Sequence, residues 1–152
     1  MFRRRKLFTP GMTVGLFGGS FDPPHKGHSL VSAKLQAALG LDVVWWLVAP
    51  QNPLKSTSPD AMEKRLKACQ DLVGSLNNRV YISDEETRLG TRNTVDTIRK
   101  LKQTYPQVRF IWLMGADNMT SLHHWKEWQV LMHENPMAIS PRPARVVAAG
   151  LS

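Results

Sequence analysis

The chain has 152 residues, 42% hydrophobic and 21% charged, which is enough for one domain with a core and excludes wholesale disorder. No apolar run reaches the roughly 20 residues of a bilayer-spanning helix. The single cysteine, Cys69, excludes an intrachain disulfide and fits a reducing, cytoplasmic setting, while the net charge of +8 suits anionic partners: nucleotides, nucleic acid or acidic membranes.

Arg3, Arg4, Arg5 and Lys6 open the chain as a basic run. It reads as a disordered extension over residues 1–11, with a nucleic-acid arm or targeting signal as the alternative. No apolar stretch follows it, so it is not a secretory signal. Thr13 to Gly18 reads as a buried strand ended by glycines. His28 to Leu39 has helical spacing with Leu30, Val31, Leu35, Ala38 and Leu39 on one side, and Gly40 stops it. Val43 to Val48 is a continuous apolar run, the mark of a strand buried on both faces. Ala49 to Ser58 is a polar loop. Ser58 and Pro59 then start a helix that turns Met62, Leu66, Cys69, Leu72 and Val73 inward, so Cys69 belongs to the core. Arg79 to Ser83 is a short strand, Thr94 to Tyr105 a helix with Val95, Ile98 and Leu101 inward, and Val108 to Leu113 another buried strand. Helical pattern resumes from Asn118 to His133, in one piece or two, and Pro136 to Ser140 begins a last strand. Strands alternating with helices imply an α/β domain, a doubly wound, mostly parallel sheet with helices on both faces. Such folds bind ligands beyond the C-terminal strand ends, which here are followed by residues 18–28, 49–55, 84–94 and 115–125.

The first of these segments carries the strongest signal. Gly18 and Gly19 allow a tight turn and close approach to a phosphate; Pro23 and Pro24 stiffen the loop. His28 falls at a helix start, where free N–H groups and the positive dipole end attract anions, and His25 is three residues away on the same side. The spacing matches neither a Walker A loop nor Gly-x-Gly-x-x-Gly. Two surface histidines, or half of a zinc site, are the competing readings; zinc would need further ligands, and none is evident.

The stretch Gly-Ser-Phe-Asp-Pro-Pro-His-Lys-Gly-His at residues 19–28 resembles the His-x-Gly-His motif of the nucleotidylyltransferase superfamily, whose members share a Rossmann-like fold. Residues 46–55, 89–97, 112–118 and 122–125 narrow the resemblance to the bacterial nicotinate-mononucleotide adenylyltransferases, in order from about Thr13 to Pro143. The resemblance implies transfer of AMP from ATP, with Mg2+ carried by the triphosphate, to nicotinate mononucleotide in NAD biosynthesis. It implies catalytic roles for His25 and His28 on the ATP phosphates, and ATP contacts from Gly18, Gly19, Ser20, Phe21, Gly115 and Asp117. Asn52, Lys55, Thr91, Thr94 and Trp125 would meet the mononucleotide, Trp125 by stacking and Thr94 by leaving helix-start N–H groups for the nicotinate carboxylate. The competing readings are a helix cap for Asp117, core packing for Trp125 and a solvated loop lysine for Lys55. No metal ligands are expected from the protein.

The match departs at Asn93, where the family commonly has an aromatic residue, and at His124, where arginine is common. Nothing resembles the family's closing Ser-Ser-Thr-x-Ile-Arg segment, so the domain over residues 12–152 is expected to lack the usual C-terminal helices. The competing functions are a non-catalytic nucleotide-binding remnant and a related transferase with another acceptor phosphate. No basic-aromatic patch argues for nucleic acid, and the sequence leaves a homo-oligomer open.

Overall fold

The structure, a computed structural model, describes residues 8–50, 59–74, 79–116 and 121–141. Its elements in chain order are β1 (Thr13–Gly19), α1 (Lys26–Leu39), β2 (Val43–Val48), α2 (Pro59–Val73), β3 (Val80–Ser83), α3 (Glu85–Leu89), α4 (Thr94–Thr104), β4 (Arg109–Gly115), a 3-10 turn (Leu122–His124), α5 (Trp128–Glu134) and β5 (Met137–Ser140). The strands form one five-stranded parallel sheet in the order β3-β2-β1-β4-β5. The chain runs outward from β1 through β2 to β3 and then returns to the other side of β1. The switch point therefore lies between β1 and β4, where Gly18 and Gly19 end one strand and Gly115 ends the other.

Side chains alternate across the pleat, and each face feeds its own core. Val14, Leu16, Trp45, Leu47, Phe110, Trp112 and Met114 pack under α4 and α5 through Val95, Ile98, Leu101 and Leu131. Phe17, Val44, Trp46, Val48 and Leu113 pack under α1 and α2 through Leu35 and Cys69. The strands are apolar on both faces because helices cover both. The adjacent indoles of β2 point to opposite cores, and each N–H is satisfied: Trp45 Nε1 donates to Ser83 Oγ at 2.8 Å and Trp46 Nε1 to Ser32 Oγ at 3.0 Å. Cys69 is fully buried, and burial pushes its thiol up to about 11, which keeps it protonated and unreactive.

Several elements differ from expectation. The helix expected from His28 begins at Lys26, and it buries Ser32 and Leu35 with Val31 beside them; Leu30, Ala38 and Leu39 are exposed. At 100° per residue Leu30 falls about 140° from Leu35 and turns outward, whereas Ala38 and Leu39 share the side of Leu35 and are exposed because they are the last two residues of the helix. The stretch between Ser83 and Thr94, to which the sequence pattern assigns no element, contains α3. Five residues are too few for a periodicity signal, although acidic Glu85 and Glu86 in its first turn and Gly90 at its C-cap, φ 74°, are helix-end signals. Phe8, inside the expected 1–11 extension, is 4% exposed and packs on Trp45, Tyr81 and Tyr105 at 5.0–6.3 Å. Its burial moves the folded boundary upstream of Met12. The Arg3–Lys6 run and the tail beyond Pro141 lie outside the described residues.

Candidate active site

The loop after β1 and the start of α1 form one hydrogen-bonded unit. His25, and not His28, is the N-cap of α1. The His25 N–H donates to His28 Nδ1 at 3.0 Å, and the Gly27 N–H donates to His25 Nδ1 at 3.1 Å. Two imidazoles thus close the reciprocal cap that Ser and Glu usually form, which is why ordinary cap signals missed the true start. An Nδ1 that accepts a hydrogen bond carries no proton, so each neutral ring keeps its N–H on Nε2. The rings stack 3.9 Å apart at 28°. Burial first, and His25 second, lower the His28 pKa from 6.5 to about 4, so His28 is neutral at pH 7. No acidic residue occupies the first turn, so nothing on the helix itself offsets its positive end.

Each glycine of the site has its own steric reason. A Cβ on Gly27 would lie 2.8 Å from His25 Cε1, so only glycine lets that ring fold over the helix end. A Cβ on Gly18 would lie 2.6 Å from Trp112 Cη2; packing across the sheet demands this glycine, whatever binds above it. A Cβ on Gly115 would meet only Val31 at an ordinary 3.7 Å, so internal packing does not require glycine there. Phe21 is 2% exposed in a left-handed conformation, φ 49°, and its ring lies between Trp46, stacked at 5.0 Å, and His28, edge-on at 4.9 Å. Ser20, just before it, is exposed.

On the other side of the sheet, Thr91 is buried and its hydroxyl lies 2.7 Å from that of Thr97, which also bonds Glu86 Oε2 at 2.9 Å. Thr91, expected to offer its hydroxyl to a substrate, shares that hydroxyl with this buried network. Burial raises the Glu86 pKa, and the Thr97 hydroxyl partly opposes that rise. Asn93 is the N-cap of α4 without a side-chain cap bond, and Thr94 is the first helical residue. Trp125 is half-buried and meets Trp112 edge-on at 6.2 Å, so it shares the core reading and the pocket reading. Lys126 beside it bonds Asp96 Oδ2 at 3.1 Å, which brings the Trp125 segment to the first turn of α4. Gly90, Thr91, Arg92 and Asn93 also line a cleft of about 500 Å3 with Asp96 and Arg99. None of the histidine loop lines it.

The structure therefore joins His25, His28, Gly18, Gly19, Ser20, Phe21 and Gly115 around the switch point, and Thr94 with Trp125 across the sheet. Trp112 links the two groups, lying over Gly18 and against Trp125. Asn52, Lys55 and Asp117 lie outside the described residues. Sequence reading missed Arg65, a helix residue that is 6% exposed and donates to the Ser20 carbonyl at 2.8 Å and the Ala49 carbonyl at 2.7 Å. Its signal was a charge on the face that carries Met62, Leu66 and Cys69. Among the described residues no three His, Cys, Asp or Glu side chains gather as a metal site, and no helix is long and apolar enough to cross a membrane.

Residues 16–150 match the family model described as cytidylyltransferase-like. The chain is 50% identical over 150 residues to a protein of Parvibaculum lavamentivorans named "Probable nicotinate-nucleotide adenylyltransferase", covering 98% of this chain and 74% of that one. A Ruegeria protein of the same name is 50% identical over 141 residues, covering 93% and 74%. The solved Plasmodium falciparum nicotinic acid mononucleotide adenylyltransferase complexed with NaAD superposes with a TM-score of 0.75 at 22% identity, covering 87% of this chain and 65% of that one. That superposition establishes a shared fold. The chain thus spans about three-quarters of the length of these two relatives and about two-thirds of that structure.

Proposed function

The chain belongs to the cytidylyltransferase-like family and, within it, to the nicotinate-nucleotide adenylyltransferases, and from that premise we propose that it transfers AMP from ATP to nicotinate mononucleotide. A phosphate oxygen of the mononucleotide attacks the α-phosphorus of ATP. One P–O bond forms as the bond to the β-phosphate bridge breaks, and the electron pair leaves with pyrophosphate. The products are deamido-NAD and pyrophosphate. The attacking phosphate is already ionised at neutral pH, so the site needs no general base; it needs alignment and donors for the charge that develops.

The observation that carries this reading is the paired imidazole cap of α1. Its backbone bonds hold both Nδ1 atoms, leaving two Nε2–H donors at the positive end of a 14-residue helix beside the switch point. His25 and His28 donate to the phosphate oxygens, with His28 at the α-phosphate. Gly18, Gly19, Ser20 and Phe21 bring backbone against the nucleotide, Gly115 leaves room for adenosine, and Asp117 accepts from the ribose. Lys55 and Asn52 meet the mononucleotide. Trp125 stacks on the pyridine ring. The first-turn N–H groups at Thr94 receive the nicotinate carboxylate, which a nicotinamide lacks. ATP would arrive as its magnesium complex, the cation carried by the triphosphate and, when bound, offsetting charge on the leaving pyrophosphate.

The test is product formation from ATP and nicotinate mononucleotide, followed as pyrophosphate and deamido-NAD. His28→Ala is expected to lower kcat about 100- to 1000-fold, the usual cost of losing one transition-state donor. Pyrophosphate formed only with a different acceptor phosphate would move the chain to another transferase, and ATP binding without any turnover would make it a nucleotide-binding protein.

A further inference from the structure

Arg65 has no place in the chemistry just described, yet it is one of the most constrained charged side chains in the fold. Arginine is seldom buried without a carboxylate or a set of acceptors, because desolvating a guanidinium costs several kcal/mol. Arg65 is 6% exposed in the middle of α2. Its Nη1 donates to two main-chain carbonyls, Ser20 at 2.8 Å and Ala49 at 2.7 Å. Its Nη2 lies 3.8 Å from Met62 Sδ, the Asp22 carboxylate favours its charge, and its Nε is buried with no hydrogen-bond partner among the described residues. A fully satisfied guanidinium would serve stability better, so what this one holds is more telling than how well it is paired.

The two carbonyls lie just beyond the C-terminal ends of β1 and β2. A third bond, from the Ala49 N–H to the Gly19 carbonyl at 2.8 Å, joins the same two segments. The Ser20 carbonyl belongs to the peptide plane whose rotation defines φ of Phe21. That residue is left-handed at φ 49°, a conformation that costs a bulky side chain about 1–3 kcal/mol. Holding the Ser20 carbonyl holds that plane. Phe21 then keeps its ring between Trp46 and His28, at 5.0 and 4.9 Å, and shields the His28 ring from water. A continuous path of contacts thus runs from α2 to the imidazole expected to meet the α-phosphate: Arg65 to Ser20, Ser20 to Phe21, Phe21 to His28.

We propose that Arg65 is a positioning residue for adenylyl transfer, which by bonding the Ser20 and Ala49 carbonyls together holds the Ser20–Phe21 peptide in the orientation that sets His28 against the nucleotide phosphates. The inference rests on the proposed reaction for its kinetic consequence only. Arg65 touches no substrate in this scheme, so its loss appears in kcat and leaves ATP affinity nearly intact. A release of the Phe21 ring also wets His28, which raises its titration midpoint from about 4 toward 6.5.

The experiment compares wild type with Arg65→Met and Arg65→Lys, reading melting temperature, kcat, the KM for ATP, and the His28 titration by proton NMR. Arg65→Met is expected to lose about 100-fold in kcat, the scale of a misplacement near 1 Å, with the ATP KM changed by less than about threefold and the His28 midpoint shifted upward. Arg65→Lys retains a cation able to reach a carbonyl and should fall between the two. A folded Arg65→Met with wild-type kcat, a loss confined to KM, or an unmoved His28 midpoint overturns the proposal. So does a lysine variant no better than methionine. Should Arg65→Met not fold, Arg65→Lys decides alone: a lower kcat at unchanged melting temperature supports the proposal, and wild-type kcat overturns it. If the wild-type chain makes no deamido-NAD, the functional reading fails by itself, and the His28 titration still decides for or against Arg65 because it needs no turnover.

Discussion

At the scale of single residues, the site turns on two imidazoles and the glycine between them. Gly27 is the sharpest case, because two effects oppose each other there. Alanine inside a helix is worth up to about 1 kcal/mol over glycine, yet a Cβ here lies 2.8 Å from His25 Cε1 and 2.9 Å from its Nδ1. Gly27→Ala is therefore expected to leave the melting temperature unchanged or higher while kcat falls at least about tenfold, as a displaced ring loses its aim. Parallel thermal and kinetic measurements check this; wild-type kcat would mean the His25 ring position is unimportant. His28 supplies the pH dependence. It binds a proton near 6.5 in the unfolded chain and only near 4 in the fold. Between those values the unfolded state holds more protons, so stability rises with pH through that window and is complete above it. Chemical denaturation from pH 4 to 7 should show that rise in wild type and a smaller one in His28→Gln. Equal slopes would remove His28 as its source.

At the scale of elements, α3 and α4 show how a helix pair shapes a loop without touching substrate through it. Thr97 is fully buried and bonds Glu86 at 2.9 Å and Thr91 at 2.7 Å, so one hydroxyl ties α4 to α3 and to the loop at residues 90–93. Valine there conserves shape and leaves a buried carboxyl and hydroxyl without their partner. Thr97→Val is expected to cost about 1–3 kcal/mol of stability and to raise the KM for nicotinate mononucleotide more than that for ATP, since α4 begins at Thr94, proposed above to receive the nicotinate carboxylate. Denaturant titration and substrate-specific kinetics separate the two effects; an equal change in both KM values would argue against an acceptor role for this segment. The elements themselves were legible where the pattern was long. β1, β2 and β4 announced themselves by apolar runs, and α2 and α4 by periodic apolar positions. The five-residue α3 was not legible, and neither was the start of α1, because two histidines capping each other follow no common cap rule.

At the scale of the whole molecule, the two cores on either side of the sheet carry the fold. Phe8 shows how far the first of them extends, wedged among Trp45, Tyr81 and Tyr105 at the N-terminal edge of the described chain. Phe8→Ala is expected to cost about 3–5 kcal/mol and to lower the melting temperature by about 10 °C. A melting temperature unchanged in Phe8→Ala would place Phe8 outside the cooperative unit. The sheet order also determines where chemistry can occur. Return of the chain from β3 to the far side of β1 opens the crevice between Gly19 and Gly115.

The sequence by itself determined the fold class, the phosphate-binding segment and the family, because each is written in local pattern: apolar runs, helical spacing, and His-x-Gly-His after a strand. It named His25 and His28 and the strand ends that flank them. Only the tertiary structure decided why those residues stand as they do. Trp112, 94 positions away in the chain, is what forbids a side chain on Gly18. Thr97, on the next helix, is what bonds the Thr91 hydroxyl. Arg65, on a helix that looked like ordinary core packing, is what fastens Ser20 to Ala49. Each of these is a contact between residues distant in sequence, set by which faces the parallel sheet brings together, and no local pattern encodes it.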